Sequence, residues 1–370
     1  MHRDSIQPSP SERVQISRGQ LLVLALLTLP FAGGMGLIGL LVMHWLTGRS
    51  IAFDAATSHG ISERNLSRLG GLGIGLTVLI YYVFQMLGEV FGSFLFDFGL
   101  EGLPIYAIAG GCFALIGFLD DTQRVTSPLA RLGLMFSIAL LFVIIQPSLL
   151  PTKILSLFPF ESPHILFVVI AAVVLVGFVN ASNMADGANG LMPIIFLTFL
   201  LIAQSLASDA FIVVLSMALL TFTLINLISG RLILGDLGAY GLSSVVCLTA
   251  YDLYNQGLVS LGFLAVALAY PCIEMLRVVS LRIIQGRSPM SAGNDHIHNK
   301  LNVALKHRFK SKTLANSLTG TLLALVTVSG VVVLVVMDEV GNEKLSFSIF
   351  AVQVLIYLLM AKVLEGKTSS

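Results

Sequence analysis

Apolar segments of membrane-spanning length recur along the whole chain, and they limit what it can fold into. Of the 370 residues, 56% are hydrophobic and only 11% are charged, whereas a soluble domain carries roughly 25% charged residues. We read about eleven segments as spans: 21–46, 70–88, 104–119, 131–150, 164–179, 191–207, 210–229, 240–254, 258–280, 314–336 and 345–362. Backbone groups in lipid must be satisfied within the segment, so each span is expected to be a helix. The sequence therefore predicts an all-α, polytopic transmembrane helical bundle.

The basic residues between the spans indicate the orientation of the chain. With the connections assigned alternately to two faces, 16 of the 21 lysines and arginines fall on one face and five on the other. The positive-inside rule places the richer face in the cytoplasm. This predicts a polar periplasmic N-terminus (1–20), a single integral membrane domain (21–362) and a cytoplasmic tail (363–370). The connection 89–103 is interpreted as a loop, with an interfacial helix as the alternative.

Several other classes of site are excluded or disfavoured. No long basic tract provides a nucleic-acid footprint. The three cysteines all fall inside predicted spans and are interpreted as small buried hydrophobes. The glycine-rich stretches FAGGMGLIG and LGGLGIGL follow no strand, so close helix packing is favoured over phosphate binding.

Four polar clusters lie on the predicted cytoplasmic face, each separated from the next by two spans. They are GFLDDTQR (117–124), NASNMADGANG (180–190), ISGRLILGDLGAYG (228–241) and LRIIQGRSPMSAGNDHIHNKL (281–301). Because a bundle can bring the ends of separate helices together, we expect these clusters to form one site at the cytoplasmic membrane surface.

The clusters contain the residue types that a phosphate site with a divalent cation needs. Asp120 and Asp121 are adjacent and repel each other unless a cation or a shifted pKa relieves them, and Asp186 and Asp236 also sit at span ends. Carboxylate oxygens suit Mg²⁺, which completes its octahedron with water and substrate phosphates. His296 and His298 are two residues apart and are not expected to share a helical face, so we favour a phosphate-binding role for them over metal chelation. The alternatives are acids that are simply solvated and a plain basic cytoplasmic loop.

These residues also resemble a known family. An Asp-Asp pair after a span, Asn-x-x-Asn-x-x-Asp-Gly-x-x-Gly-Leu, Gly-Asp-x-Gly and a late His-x-His loop occur in that order over about residues 20 to 310. This resembles the polyprenyl-phosphate N-acetylhexosamine-1-phosphate transferases (glycosyltransferase family 4). The late HIHN loop is similar to the branch of undecaprenyl-phosphate GlcNAc-1-phosphate transferases, whereas the pentapeptide transferases of peptidoglycan synthesis carry three consecutive histidines.

The resemblance implies an activity and its partners. A UDP-sugar would donate its N-acetylhexosamine 1-phosphate to undecaprenyl phosphate, with release of UMP, in the bacterial inner membrane. The product would initiate a cell-surface polysaccharide, such as lipopolysaccharide O-antigen, capsule, common antigen or another cell-wall polymer. Mg²⁺, or Mn²⁺ in its place, would be the cofactor, and homodimers are common in the family. The identity of the sugar stays open.

The resemblance also implies roles for particular residues. The catalytic residues would be Asp120, Asp121 and Asp236, with Asp236 and Asp121 at the metal. The substrate-binding residues would be Arg68, Asn180, Asn183, Asp186, Asn189, Arg282, His296 and His298. The sequence departs from the family pattern at Asn189, where a second acid is often found, and at Ile233, where a phenylalanine often stacks on the base. We expect Asp120 to position a phosphate or the metal rather than to act as an obligatory base.

An ion-coupled secondary transporter is the main alternative function, and a non-catalytic membrane scaffold is the third. Transporter carboxylates usually lie near the bilayer midplane on broken helices, whereas the acids here gather at one face. Glu274, which follows Pro271 in the ninth span, is the residue most typical of a transporter. Its plainer interpretation is a helix-end residue that pairs with Arg277 at i+3.

Overall fold

A computed structural model describes residues 16–48, 53–54, 66–91, 104–124, 127–147, 150–151, 164–289 and 293–368. Over these residues the chain is almost entirely helical, with one two-stranded hairpin. The prediction of an all-α polytopic membrane protein is confirmed. The interfacial helix considered for 89–103 and most of the polar N-terminus fall largely outside the described residues.

The helices follow the predicted spans closely. They are α1 (Arg18–Thr47), α2 (Gly70–Phe91), α3 (Ile105–Asp121), α4 (Pro128–Ile145), α5 (His164–Ala185), α6 (Leu191–Leu206), α7 (Ala210–Ser229), α8 (Gly235–Gln256), α9 (Leu261–Ala267), α10 (Ala269–Ile284), α11 (Ile297–Lys306), α12 (Lys312–Val336) and α13 (Glu343–Thr368). The hairpin pairs β1 (Phe53–Asp54) antiparallel with β2 (Leu66–Ser67). Six of the described helices are long and apolar enough to cross a membrane alone: α2, α4, α5, α7, α12 and α13.

Two predicted spans are interrupted. In α1 the chain breaks at Gly33, whose φ of 52° lies in the left-handed region. The ninth span is two helices, α9 and α10, which meet at an angle of 71° and would make a seventh crossing if counted together. Pro271 explains this bend, because it lacks the N–H that would bond to the Ala267 carbonyl at the end of α9.

The α8 helix lies at the centre of the bundle and packs closely along α3. A methyl group at Gly117 of α3 would lie 2.2 Å from the Asp236 carbonyl oxygen, and one at Gly71 of α2 would lie 2.2 Å from the Gly238 Cα atom. Only glycine permits these approaches. The prediction of close packing is confirmed for Gly71 of LGGLGIGL, whereas Gly33 and Gly34 of FAGGMGLIG have nothing within 4 Å. The contacts place the C-terminal end of α3 directly beside the beginning of α8.

The segment before α2 runs beside the segment before α8. Ser67 N–H donates to the Arg231 carbonyl at 2.9 Å, and Ile233 N–H donates to the Ser67 carbonyl at 2.9 Å. Gly70 and Gly71 continue this ladder to Ile233 and Leu234. The ladder fixes Arg68, which lies between the bonded residues, next to the start of α8.

The short helix α11 lies within the long basic connection and was not predicted. His296 is its N-cap residue and is extended, with φ −67° and ψ 144°. Because His296 precedes the helix that contains His298, the two residues do not follow helical i, i+2 geometry. The expectation that His296 and His298 do not share a face is therefore wrong. Their rings stack with centroids 5.0 Å apart and an interplanar angle of 11°.

Candidate active site

Three carboxylates meet where α3 ends and α8 begins. Asp120 and Asp121 are the last residues of α3, and Asp236 lies in the first turn of α8. Burial and the negative charges of Asp120 and Asp121 act on Asp236, while the Arg68 guanidinium partly offsets them. The cluster is therefore a partly buried group of acids that attracts cations.

Asp121 joins the cluster to the helix backbone. Its Oδ2 atom accepts a hydrogen bond from Leu237 N–H at 3.0 Å, and its Oδ1 atom lies 3.4 Å from Arg68 Nη1. Its side chain is only 2% exposed. A carboxylate that accepts from the first turn of a helix stabilises that helix end, so Asp121 holds the beginning of α8 in place as well as contributing negative charge.

Asp120 is bound by two residues from other helices. Its Oδ2 atom accepts from the Tyr240 hydroxyl at 3.1 Å and pairs with Arg131 Nη1 on α4. The Tyr240 hydroxyl also accepts from Asn183 Nδ2 at 3.2 Å. Tyr240 therefore connects the Asp-Asp pair to the NASNMADGANG segment.

The sequence patterns did not identify Arg131 or Tyr240 as site residues. Arg131 lies in the first turn of α4 on the basic face, but nothing local distinguishes it from the other basic residues there. Only the packing of α4 against α3 and α5 shows that it reaches Asp120.

The acid cluster offers ligands of the type that a hard divalent cation binds. All of its candidate ligands are carboxylate oxygens, the donors that Mg²⁺ prefers. Asp236 lies beside both Asp120 and Asp121, and these are the residues that could hold the ion.

The NASNMADGANG segment forms the end of α5 and the turn before α6. Asn180 donates to the Val176 carbonyl of its own helix at 2.8 Å, and Asn183 faces Tyr240. Asp186 follows the end of α5, and burial raises its pKa to about 7. Asn183 therefore lies near the acid cluster, as expected. The side chain of Asn180 instead forms a hydrogen bond within α5.

Asn189 lies with a different set of residues. Its Nδ2 atom donates to Ser317 Oγ at 3.2 Å, and its backbone N–H donates to Asn316 Oδ1 at 3.1 Å. The side chain is 5% exposed. These bonds attach the turn to α12, so the structure gives Asn189 a packing role, and its predicted contact with a nucleotide stays a prediction.

The histidine pair lies against the same turn. An added Cβ at Gly187 would be 2.0 Å from His298 Nε2, so the imidazole edge packs directly on that backbone. His298 is 2% exposed, and its Nδ1 atom has no hydrogen-bond partner among the residues that the structure describes. Burial lowers the pKa of His298 to about 3, so the ring is neutral at physiological pH.

His296 and Glu274 lie next to each other behind His298. His296 Nδ1 is 3.1 Å from Glu274 Oε1. Ligand atoms of Glu274, His296 and His298 lie within 4.8 Å of one another, a spacing that could hold a metal ion. However, Glu274 Oε1 already accepts from Ile297 N–H at 3.0 Å and pairs with Arg277 at 3.4 Å. The charge of the carboxylate is therefore balanced by a hydrogen bond and a guanidinium group without a metal ion.

Arg282 lies in the basic connection but faces its own loop. Its Nη1 atom donates to the Pro289 carbonyl at 2.9 Å, and its Nε atom lies 3.6 Å from Asp295 Oδ2. Arg287 also pairs with Asp295, at 3.0 Å, and these charges lower the pKa of the Asp295 carboxyl. A phosphate contact by Arg282 stays a prediction.

The predicted residues thus form a connected series from the acids to the histidines. Arg68, Asp121, Asp236 and Asp120 lie together, Tyr240 leads to Asn183, and Gly187 meets His298. Acids that attract a cation stand at one end of the series, and imidazole donors stand at the other. This arrangement suits a substrate that carries several phosphate groups.

Comparison with known proteins agrees with this geometry. The family model for glycosyl transferase family 4 matches residues 103–254, which carry all four aspartates of the site. The phospho-N-acetylmuramoyl-pentapeptide-transferase of Fervidobacterium nodosum is 25% identical over 268 residues, covering 69% of this chain and 80% of the relative. The undecaprenyl-phosphate alpha-N-acetylglucosaminyl 1-phosphate transferase of Thermotoga maritima is 27% identical over 252 residues, or 66% of this chain and 70% of the relative.

A third relative extends the same pattern. The phospho-N-acetylmuramoyl-pentapeptide-transferase of Nostoc punctiforme is 28% identical over 264 residues, covering 65% of this chain and 69% of the relative. The relatives thus include both kinds of enzyme, and both transfer a sugar phosphate. Its membrane helices and its ordered acidic motifs agree with this similarity to glycosyl transferase family 4 and are consistent with a polyprenyl-phosphate hexosamine-1-phosphate transferase.

Proposed function

We propose that the chain transfers an N-acetylhexosamine 1-phosphate from a UDP-sugar to undecaprenyl phosphate. The observation that carries this proposal is the meeting of Asp120, Asp121 and Asp236 with Arg68 and Arg131 at one end of a membrane bundle. A site of this composition at a bilayer surface suits a reaction between a soluble nucleotide-sugar and a phosphorylated lipid. The product would begin a cell-surface polysaccharide at the inner face of the bacterial inner membrane.

The reaction exchanges one phosphoanhydride for another. An oxygen of the lipid phosphate bonds to the sugar-bearing phosphorus, and the bond from that phosphorus to the oxygen of UMP breaks. The lipid phosphate has a second pKa of about 6, so it is largely dianionic at neutral pH and needs little help from a base. The main barrier is the approach of several anions to one another.

The chain's own residues lower this barrier by position and charge. Arg68 and Arg131 place two guanidinium groups beside the acids, where they can bind phosphate oxygens as well. Tyr240 and Arg131 hold Asp120, which favours a positioning role over proton abstraction. When bound by Asp236 with its neighbours, Mg²⁺ would supply charge neutralisation and in-line alignment of the phosphates. Mn²⁺ could take its place.

The donor branch is a finer part of the proposal. The histidine loop reads His296-Ile297-His298-Asn299, without three consecutive histidines, so we favour a UDP-GlcNAc-type donor over the UDP-linked muramoyl-pentapeptide. The relatives from Fervidobacterium and Nostoc are named as pentapeptide transferases. The UDP-linked muramoyl-pentapeptide must therefore be included as a donor in any test.

A donor panel tests the proposal. The purified full-length chain is incubated with undecaprenyl phosphate, Mg²⁺ and UDP-GlcNAc, UDP-GalNAc or UDP-MurNAc-pentapeptide, and UMP release is measured. We expect UMP only with a UDP-N-acetylhexosamine, and no release after chelation of the metal. UMP release with the pentapeptide donor alone would overturn the assignment of the donor branch. No UMP release with any donor would overturn the proposed activity. Solute uptake into vesicles without UMP would favour the transporter.

The variant Asp236→Asn is the matched check on the acid cluster. It is nearly isosteric and removes the charge that faces Asp120 and Asp121. We expect loss of Mg²⁺-dependent UMP release with normal purification behaviour. Full activity at saturating UDP-sugar would contradict the assignment of the cation to this residue.

A further inference from the structure

Glu274 is a fully buried carboxylate beside the histidine loop, and the reaction described above does not use it. It is 0% exposed and lies on α10, just after the bend at Pro271. Its Oε1 atom accepts from His296 Nδ1 at 3.1 Å and from Ile297 N–H at 3.0 Å. A carboxylate so placed holds both the ring of His296 and the first N–H of α11.

The last helix supports Glu274 from the other side. Tyr357 on α13 donates its hydroxyl to Glu274 Oε2 at 2.5 Å and accepts from Arg277 Nε at 2.7 Å. Arg277 Nη2 also donates to the Asp295 carbonyl at 2.7 Å, next to His296. Every oxygen of Glu274 therefore has a donor, so the carboxylate has little freedom to move.

This arrangement fixes His296 in one orientation. A carboxylate at Nδ1 requires a proton on that nitrogen and directs Nε2 away from itself. The stacked ring of His298 covers one face of His296 and rests on Gly187, the residue after Asp186. The Nε2 atom of His296 is therefore the part of the ring left for a ligand in the predicted nucleotide-sugar region.

We infer that Glu274 is a positioning residue for His296. Its carboxylate accepts from Nδ1–H and fixes the ring, so that Nε2 faces a phosphate of the UDP-sugar. The inference rests on the proposed function for the identity of that phosphate. The charged and titratable groups that surround His296 are Glu274, Arg277, Asp295, His298 and Tyr357. Of these, Glu274 is the one in direct hydrogen-bond contact with the ring.

A double-mutant cycle tests whether Glu274 acts through His296. Glu274→Gln keeps the shape and the acceptor for Ile297 but removes the charge, and His296→Gln removes the imidazole. We expect each single variant to lower kcat/KM for the UDP-sugar by about 10- to 100-fold, and the double variant to be no worse than either. Losses that multiply, or an unaffected Glu274→Gln enzyme, would overturn the inference.

Two further readouts separate positioning from a structural role. In Glu274→Gln, KM for the UDP-sugar should rise more than kcat falls, because His296 has lost the carboxylate that orients its ring toward the substrate. Glu365→Gln is the matched control, since Glu365 pairs with Arg277 and Lys300 in the same network. It should keep both kcat and KM. An equal rise of KM in both variants would assign the effect to the network and not to the His296 contact.

A measurement without turnover distinguishes this inference from the proposed function. In the ¹⁵N-histidine-labelled full chain, Nδ1–H of His296 should give a downfield proton resonance that disappears in His296→Gln and moves upfield in Glu274→Gln. If the wild-type chain released no UMP, the proposed function would fail while this resonance still reported the contact. Absence of the resonance in the wild-type chain would overturn the positioning role whatever the activity.

Discussion

Tyr240 shows how one buried hydroxyl can organise two distant motifs. The residue is 0% exposed, yet its hydroxyl donates to Asp120 and accepts from Asn183. Arg131 lies over its ring, with Cζ 6.0 Å from the centroid. Because a buried hydroxyl must be satisfied, Tyr240 fixes the separation of the Asp-Asp pair and the α5 end.

Tyr240→Phe should therefore impair catalysis more than folding. The ring stays in place, while Asp120 and Asn183 each lose a partner, a loss of about 1.5–3 kcal/mol for a bond to a charged group. We expect kcat for UMP release to fall roughly 10- to 100-fold. Tyr251→Phe is the control, because Tyr251 on the same helix donates to the Ala171 carbonyl, away from the acids. Equal losses of activity in the two variants would contradict a specific role for Tyr240.

Asp186 gives a prediction for stability against pH. Burial raises its pKa to about 7, whereas an unfolded Asp titrates near about 4. Between these values the unfolded chain loses the proton first, so the contribution of Asp186 to stability decreases as pH rises and levels off above about pH 7. Asp186→Asn cannot ionise and should escape this decrease.

The measurement is a thermal-shift series in detergent with a thiol-reactive dye, which reports exposure of the buried Cys247. The Tm of Asp186→Asn minus that of the wild-type chain should grow from about pH 5 to about pH 7 and then stay constant. A difference that is independent of pH would show that Asp186 titrates normally.

At the scale of helices, the close pair α3 and α8 positions the acids. Asp120 and Asp121 end one helix, and Asp236 begins the other, so the distance between the helix axes sets the spacing of the carboxylates. That distance depends on the absence of a side chain at Gly117, where a Cβ would be 2.2 Å from the Asp236 carbonyl oxygen.

Gly117→Ala should separate the two helices at the site. The added methyl meets backbone and not a flexible side chain, so we expect a destabilisation of about 1–3 kcal/mol or more and loss of most UMP release. Gly111→Ala on the same helix meets nothing within 4 Å and should stabilise slightly, by about 0.5–1 kcal/mol. Thermal shift and UMP release measure both effects. Normal activity in Gly117→Ala would show that the acids do not depend on this packing.

For the molecule as a whole, hydropathy and motif order predicted the helices and the collection of acids. The period and length of the apolar runs are properties of each segment alone, so the sequence reveals them. The adjacency of Asp120, Asp121 and Asp236 follows from span parity, and the structure brings them together. Arg68 also lies beside the acids, although the ladder that holds it there was not visible in the sequence, and its substrate-binding role stays a prediction.

The parts that the sequence did not reveal depend on contacts between segments. The bend between α9 and α10 brings Glu274 into the histidine loop, and a proline near the middle of a span does not specify the direction of a bend. Asn189 carries the same amide as Asn183, yet one packs on α12 and the other faces Tyr240. The difference depends on which helix packs against each residue, and the local sequence pattern does not specify this.

Cysteine accessibility tests the orientation of the whole molecule. In a chain with Cys112, Cys247 and Cys272 replaced, single cysteines at the exposed positions Gln123, Ser288 and Lys310 should react with an impermeant maleimide only in inverted vesicles. Cysteines at Ser208 and Asp338, which are exposed at the opposite ends of their helices, should react only in right-side-out vesicles. The reason is that the proposed function requires the acids, the histidines and the soluble UDP-sugar to share one face, which the sequence predicts to be cytoplasmic. Labelling of Gln123→Cys and Ser288→Cys from opposite sides would separate the acid cluster from the histidine loop and exclude a single site.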